Sequence, residues 1–221
     1  MTHGFSFPWF GPLRARLRVH LAAEAFPRDA AHDLGHILRV ARLARDLAAS
    51  EGADAEVCVA AALLHDLVYR PKNHPESSLT ARMAADLVPR RCLETPGLET
   101  RAKAIAAAVA SHSWSGGLDP ASLEAAVVQD ADRLEALGAI GIARVFATGA
   151  SFGAGLWHPE DPWAEGRGLD DKAWSLDHFE KKLLKLADGM KTPAGRGLAE
   201  GRQRTLLAYL DALRAELAAG H

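Results

Sequence analysis

Val57-Cys58-Val59-Ala60-Ala61-Ala62-Leu63-Leu64-His65-Asp66-Leu67-Val68 is apolar on every side when wound as a helix, save for one imidazole beside one carboxylate. A helix that is apolar all round is buried. Burying an imidazole and a carboxylate is costly unless something pairs with them. Two readings fit the doublet equally. One is a buried His–Asp hydrogen bond. The other is a bound cation, because imidazole nitrogen and carboxylate oxygen are both ligands for first-row metals.

Working outward, the 221 residues suit one domain, or one domain with an appendage. A hydrophobic content of 48% with 24% charged residues is ordinary for a soluble globular protein. The net charge of −2 provides no general basic surface for a nucleic-acid polymer or a membrane. The two cysteines, Cys58 and Cys92, form no disulfide framework, and a reducing, cytoplasmic location is expected. No apolar run approaches membrane-spanning length. Residues 1–12 are aromatic and punctuated by Gly and Pro, without the cationic-then-apolar pattern of a secretory signal.

Helical periodicity dominates, so the fold class expected is all-α. Helices are expected over residues 13–25, 33–50, 55–69, 76–87 and 97–111. Asp33 suits the N-cap and Gly52 the C-cap of the second. Pro120 suits the first turn of a sixth helix. Residues 132–147 continue as helix, weakened by Gly138 and Gly141. The irregular stretch 148–174, rich in Gly, Pro and Trp, has the length of a lid or binding loop. Helices over residues 176–186 and 194–217 follow. The organisation expected is a single domain over 1–221, with a core at about 15–147, an insertion at 148–174 and C-terminal helices at 175–217.

Placed on these helices, His36 lies on an apolar line with Val40, Leu43 and Leu47 and points to the core, with Arg39 beside it. His112 ends the Ile105–Val109 line, where a histidine facing the helix dipole is an equal reading. Asp130 and Asp132 lie two apart in another apolar stretch, so one of them enters a site, and pattern does not choose between them. His32 can orient His36 from behind, as metal-bound imidazoles require. Trp157, Trp163 and Trp174 can stack on a base or anchor the long loop. Mixed imidazole–carboxylate ligation suits Mn, Fe, Co, Ni or Mg. Such a metal polarises a phosphoryl oxygen and lowers the pKa of bound water.

The order His36, His65-Asp66, Asp132 resembles the H…HD…D signature of the HD-domain metal phosphohydrolases. The match extends through 32–40 (His-Asp-Leu-Gly-His-Ile-Leu-Arg-Val), 61–66, 71–75 (Pro-Lys-Asn-His-Pro), 128–141, 169–172 (Leu-Asp-Asp-Lys) and 177–186. These stretches resemble the YedJ-like branch, related to the YpgQ-type nucleotide pyrophosphohydrolases, over about residues 15 to 215.

The resemblance implies an HD-type helical core holding one divalent metal ion (Mn, Co, Ni, Fe or Mg). His36, His65, Asp66 and Asp132 would be its ligands, Asp132 being selected over Asp130 by the family's Ala-Asp-Arg-Leu pattern. A metal-activated water would attack phosphorus, with Arg39 and Lys72 neutralising phosphate charge, the main demand of phosphoryl transfer. His112 resembles an auxiliary histidine that contacts phosphate or a second metal. The substrate implied is a small phosphorylated molecule, foremost a nucleoside triphosphate cleaved to monophosphate and pyrophosphate. Alternatives are a phosphomonoesterase or phosphodiesterase on the same site, or a catalytically weak nucleotide-binding regulatory module. Two departures stand out. Many nucleotidase members carry an acid three residues after the doublet, where this chain has Tyr69, which leaves the general base unassigned. The second His pair of binuclear phosphodiesterases is missing from the pattern, which favours a single metal. Oligomeric state is not legible.

Overall fold

Helix α3, Ala55–Leu64, sits where its composition demands. All eight residues from Val57 to Leu64 are buried, because α3 is packed by four other helices. These are α1 (Phe10–Ala22), α2 (Leu34–Glu51), α4 (Thr80–Leu93) and α5 (Ala102–Ser111). The computed structural model describes residues 5–71, 74–113 and 116–219. Two compact units divide between Asp132 and Arg133. Among the described residues there is no strand, only one isolated parallel bridge between Gly155 and Trp174. No single described helix is long and apolar enough to cross a membrane.

In the first unit, the caps fall where the sequence puts them. Asp33 accepts the His36 N–H at 2.8 Å and starts α2, and Gly52, at φ 74°, ends it. Asp54 accepts from the Glu56 and Val57 N–H groups and starts α3. Trp9 is buried and donates Nε1–H to Glu56 at 2.8 Å, and Phe5 stacks on Phe10, so the N-terminal arm packs onto the helices.

Several boundaries differ from expectation. Helix α1 begins three residues early, since Pro12 falls in a first turn that has no N–H bond to lose. Helix α3 stops at Leu64 rather than Tyr69, which leaves His65 and Asp66 just past its end. Residues 76–79 form turns, and α4 runs on through Pro89 to Leu93. The fifth helix opens with a 3-10 turn, Glu99–Arg101, before α5. Helix α6, Leu123–Leu134, starts after Ser122, whose hydroxyl accepts the Ala125 N–H, so Pro120 lies outside it.

In the second unit, the chain breaks after Leu134, and Gly138, at φ 69°, opens α7 (Gly138–Ser151). The continuous helix expected over 132–147 is therefore two pieces. Helix α8 is only Asp177–Lys181, followed by two 3-10 turns, and α9 is Pro193–Ala219. The irregular segment is stitched at its base by Gly155 N–H to Ala173 O and Ser175 N–H to Gly155 O, both 2.9 Å. Arg167 makes a two-pronged ion pair with buried Asp177, at 2.5 and 2.8 Å. Arg214 lies 4.1 Å over the Trp163 ring and Trp174 meets His158, so these two tryptophans anchor the loop. His178 and Lys181 both bind Asp171, at 2.8 and 2.6 Å.

Candidate metal centre

Four helix ends converge in the first unit: the start of α2 and the ends of α3, α5 and α6. The Asp33 cap fixes the first turn of α2, and with it His36, whose side chain is 1% exposed. His65 follows the last residue of α3. Its Nδ1 lies 2.7 Å from the Ala62 carbonyl, which a continuing helix would offer to the Asp66 N–H. The imidazole therefore caps its own helix, and the bond makes Nδ1 the protonated nitrogen. His112 does the same at the end of α5, with Nδ1 2.7 Å from the Val109 carbonyl. The ring centroids of His65 and His112 are 4.9 Å apart, and those of His36 and His65 5.3 Å. His112 is thus both a helix-terminal histidine and a wall of the cluster.

The carboxylates close the arrangement. His65 Nε2 lies 3.5 Å from Asp66 Oδ2 and 3.7 Å from Asp132 Oδ1. His36 Nε2 lies 3.8 Å from Asp66 Oδ2 and 3.4 Å from Asp132 Oδ1. Ligand atoms of His36, His65 and Asp66 all fall within 4.8 Å of one another. The structure brings Asp132 to the histidines, while Asp130 is fully buried two residues earlier on α6.

Protonation states follow from burial and charge. Burial pushes the His65 imidazole down to about 4, the opposing pull of Asp66 and Asp132 notwithstanding. Burial alone would raise Asp66, but His65 and His36 outweigh it and hold that carboxyl far below the usual range. Asp132 is held low by the His36 hydrogen bond and by His65, again against burial. A neutral imidazole beside ionised carboxylates is the protonation state that metal binding requires. His65 Nε2 is a buried nitrogen with no hydrogen-bond partner, although its ring is otherwise satisfied. An orphaned buried acceptor calls for a partner. A divalent cation fits this donor set of two imidazole nitrogens and two carboxylates.

The other residues singled out by sequence divide. The Arg39 guanidinium lies back over the first turn of α2, within 3.3 Å of where a Gly35 side chain would begin. Lys72 lies outside the described residues. Tyr69 is buried, and its O–H donates to Asp29 at 3.1 Å. His32, expected behind His36, has Nδ1 2.8 Å from Asp29, and its ring meets the His36 ring edge-on at 5.9 Å. Burial would raise the Asp29 carboxyl, but the His32 hydrogen bond and charge, with backbone N–H groups, bring it down to about 2. His74 accepts the Glu76 N–H, and Glu76 pairs with Arg70, which are loop-ordering roles.

Two residues escaped the sequence reading. Arg28 reaches the Asp66 backbone from the α1–α2 connection. Gln129, fully buried on α6, donates to the carbonyls of Ser111 at 2.6 Å and Leu118 at 3.2 Å, and so ties α6 to the end of α5 beside His112. Its signal was a lone amide within the apolar run Val127-Val128-Gln129.

Residues 33–137 match the HD domain family. The YpgQ protein of Bacillus subtilis strain 168 is 33% identical over 206 residues, which is 91% of this chain and 92% of that protein. The crystal structure of YpgQ in complex with ADP superposes with a TM-score of 0.68 at 31% identity, covering 93% of each chain. An HD-superfamily hydrolase from Bacillus thuringiensis is similar as well, at 32% identity and a TM-score of 0.67, covering 95% of this chain and 96% of that one.

Proposed function

This chain belongs to the HD domain family of metal-dependent phosphohydrolases, and from that premise we propose that it hydrolyses nucleotides, releasing pyrophosphate from nucleoside triphosphates. The nucleotide assignment is carried by one observation, the ADP complex of YpgQ, a relative that spans nearly the whole chain. The hydrolytic assignment is supported by the His36, His65, Asp66 and Asp132 cluster with its orphaned Nε2.

These four side chains would hold one divalent ion, from among Mn, Co, Ni, Fe and Mg. Such an ion, when bound, supplies Lewis-acid polarisation of a phosphoryl oxygen and a lowered pKa for water. The protein's part is preorganisation. The helix-end bond from His65 Nδ1 to Ala62 aims Nε2 at the two carboxylates. The burial that keeps His65 neutral leaves that lone pair available at neutral pH. Asp66 and Asp132 remain ionised and supply the negative charge that a divalent ion needs. His112, whose ring packs on that of His65, would hydrogen-bond a phosphoryl oxygen from the side of α5. Arg39 and Lys72 complete the neutralisation of phosphate charge. Tyr69, with its hydroxyl engaged by Asp29, does not replace the acid found at that position in many nucleotidases.

The test is a product screen. Metal-stripped protein is resupplied with Mn, Co, Ni or Mg and offered nucleoside tri-, di- and monophosphates and an aryl phosphate. Metal-dependent pyrophosphate release from triphosphates is expected. Orthophosphate release from monophosphates would replace this reading with a phosphomonoesterase. Tight nucleotide binding without turnover would replace it with a regulatory module.

A further inference from the structure

The connection between α1 and α2 carries a buried cation that the metal ligands do not explain. Arg28 has a side chain only 8% exposed. Glu24 accepts from its Nε at 2.6 Å and from its Nη2 at 2.7 Å, which balances the charge. Nη2 also donates to the backbone carbonyl of Asp66. Nη1 donates to the carbonyl of His32 at 3.1 Å and lies 3.9 Å from Asp66 Oδ2. The Tyr69 ring closes the remaining face, 5.2 Å from the guanidinium carbon. A buried guanidinium is tolerated only when its charge is paired and its fixed fork of N–H groups is occupied. The fork here is filled by one carboxylate and by two carbonyls from different parts of the site.

The placement of those carbonyls carries the inference. Asp66 lies past the end of α3, where helical hydrogen bonds no longer hold the backbone. His32 precedes the α2 cap by one residue and His36 by four. A planar fork spanning both segments sets the Asp66 peptide relative to the start of α2. We propose that Arg28, paired with Glu24, is the positioning residue for Asp66 in the metal centre. The proposal rests on the metal-site reading above. Lysine cannot substitute, because a single ammonium does not reproduce the geometry of the fork.

The experiment titrates Mn2+ into chelator-stripped protein, reading free Mn2+ by electron paramagnetic resonance, with thermal melting of the same samples. Variants are Arg28→Lys, Arg28→Met and Glu24→Gln, with Arg101→Met as a control. Arg101 pairs with Asp54 and Glu56 at the other end of α3. Expected is a loss of Mn2+ affinity of about 10- to 100-fold in both Arg28 variants, the range for removing a partner that orients a ligand. The control stays within about twofold of the parent. If Arg28→Met does not fold, Arg28→Lys and Glu24→Gln carry the comparison, with the same loss expected. Lowered melting temperatures with Mn2+ affinity retained would mark Arg28 as purely structural and overturn the proposal. A parent that binds no Mn2+ would remove the metal-site reading itself, and the proposal with it. A parent that binds, with unaffected variants, would remove the positioning role alone.

Discussion

His65 caps its own helix by placing Nδ1 2.7 Å from the Ala62 carbonyl, and that one bond fixes where the other nitrogen points. The same bond ends α3 at Leu64, so that His65, itself buried, and Asp66 follow a helix whose residues 57–64 are all buried. His65 keeps its neutral form down to about pH 4 when folded, against 6.5 ordinarily, and burial is the main cause.

The linkage has a definite sign. A histidine whose folded pKa is depressed favours the folded state fully above the unfolded value near 6.5, and the contribution is lost as pH falls toward 4. The unfolded chain takes up the proton first. At ~1.4 kcal/mol per pH unit, metal-stripped protein should lose on the order of 3 kcal/mol across this window. Urea midpoints between pH 7.5 and 4.5 measure it, and His65→Gln should flatten the slope. A parent curve that is flat over that range would contradict the neutral, buried state of His65.

Asp132→Asn should weaken metal binding at least about tenfold, because the amide replaces an anionic oxygen ligand. Asp130→Asn should leave affinity near the parent value. The two acids lie two residues apart, and the structure brings Asp132 to within 3.4 Å of His36 and 3.7 Å of His65. Isothermal titration of each variant with Mn2+ gives the ranking, and the reverse order would move the site by two residues on α6.

What the sequence made legible divides along physical lines. The all-round apolarity of residues 57–64 dictates burial, and the caps Asp33 and Gly52 act over two or three residues, so both were readable locally. The H…HD…D order was legible as a resemblance to the HD-domain family, and only His36 was also placed by an apolar line on its own helix. The end of α3 was not, since it depends on a side-chain bond that competes with the helix rather than on any Gly or Pro. Arg28 was invisible for a related reason. Its partners, Glu24, His32 and Asp66, are scattered between positions 24 and 66, and two of the contacts are to backbone carbonyls, which carry no sequence signal. Pro12 and Pro89 both fall inside helices, the first in a turn with no N–H bond to lose and the second within α4.

Gln129→Leu should destabilise the protein by about 1–3 kcal/mol, since it leaves the buried Ser111 carbonyl without its 2.6 Å donor. Equilibrium urea unfolding checks this. A change below about 0.5 kcal/mol would mean that water replaces the amide.

Neither cysteine should behave as a nucleophile. Burial pushes the thiol of Cys58 up to about 12 and that of Cys92 up to about 11, and both are fully buried. A thiol-specific aryl disulfide should find no reactive group in the native protein and two per chain in urea. Fast labelling of the native protein would contradict the packing around α3 or α4.

The most direct test of the metal centre is to measure bound divalent ion per chain and nucleotide turnover on the same preparations of parent and His65→Ala. Expected are about one ion per chain and metal-dependent hydrolysis in the parent, with both lost in His65→Ala while the helical circular dichroism spectrum persists. Full metal occupancy and undiminished turnover in His65→Ala would contradict the assignment of this cluster as the catalytic metal site.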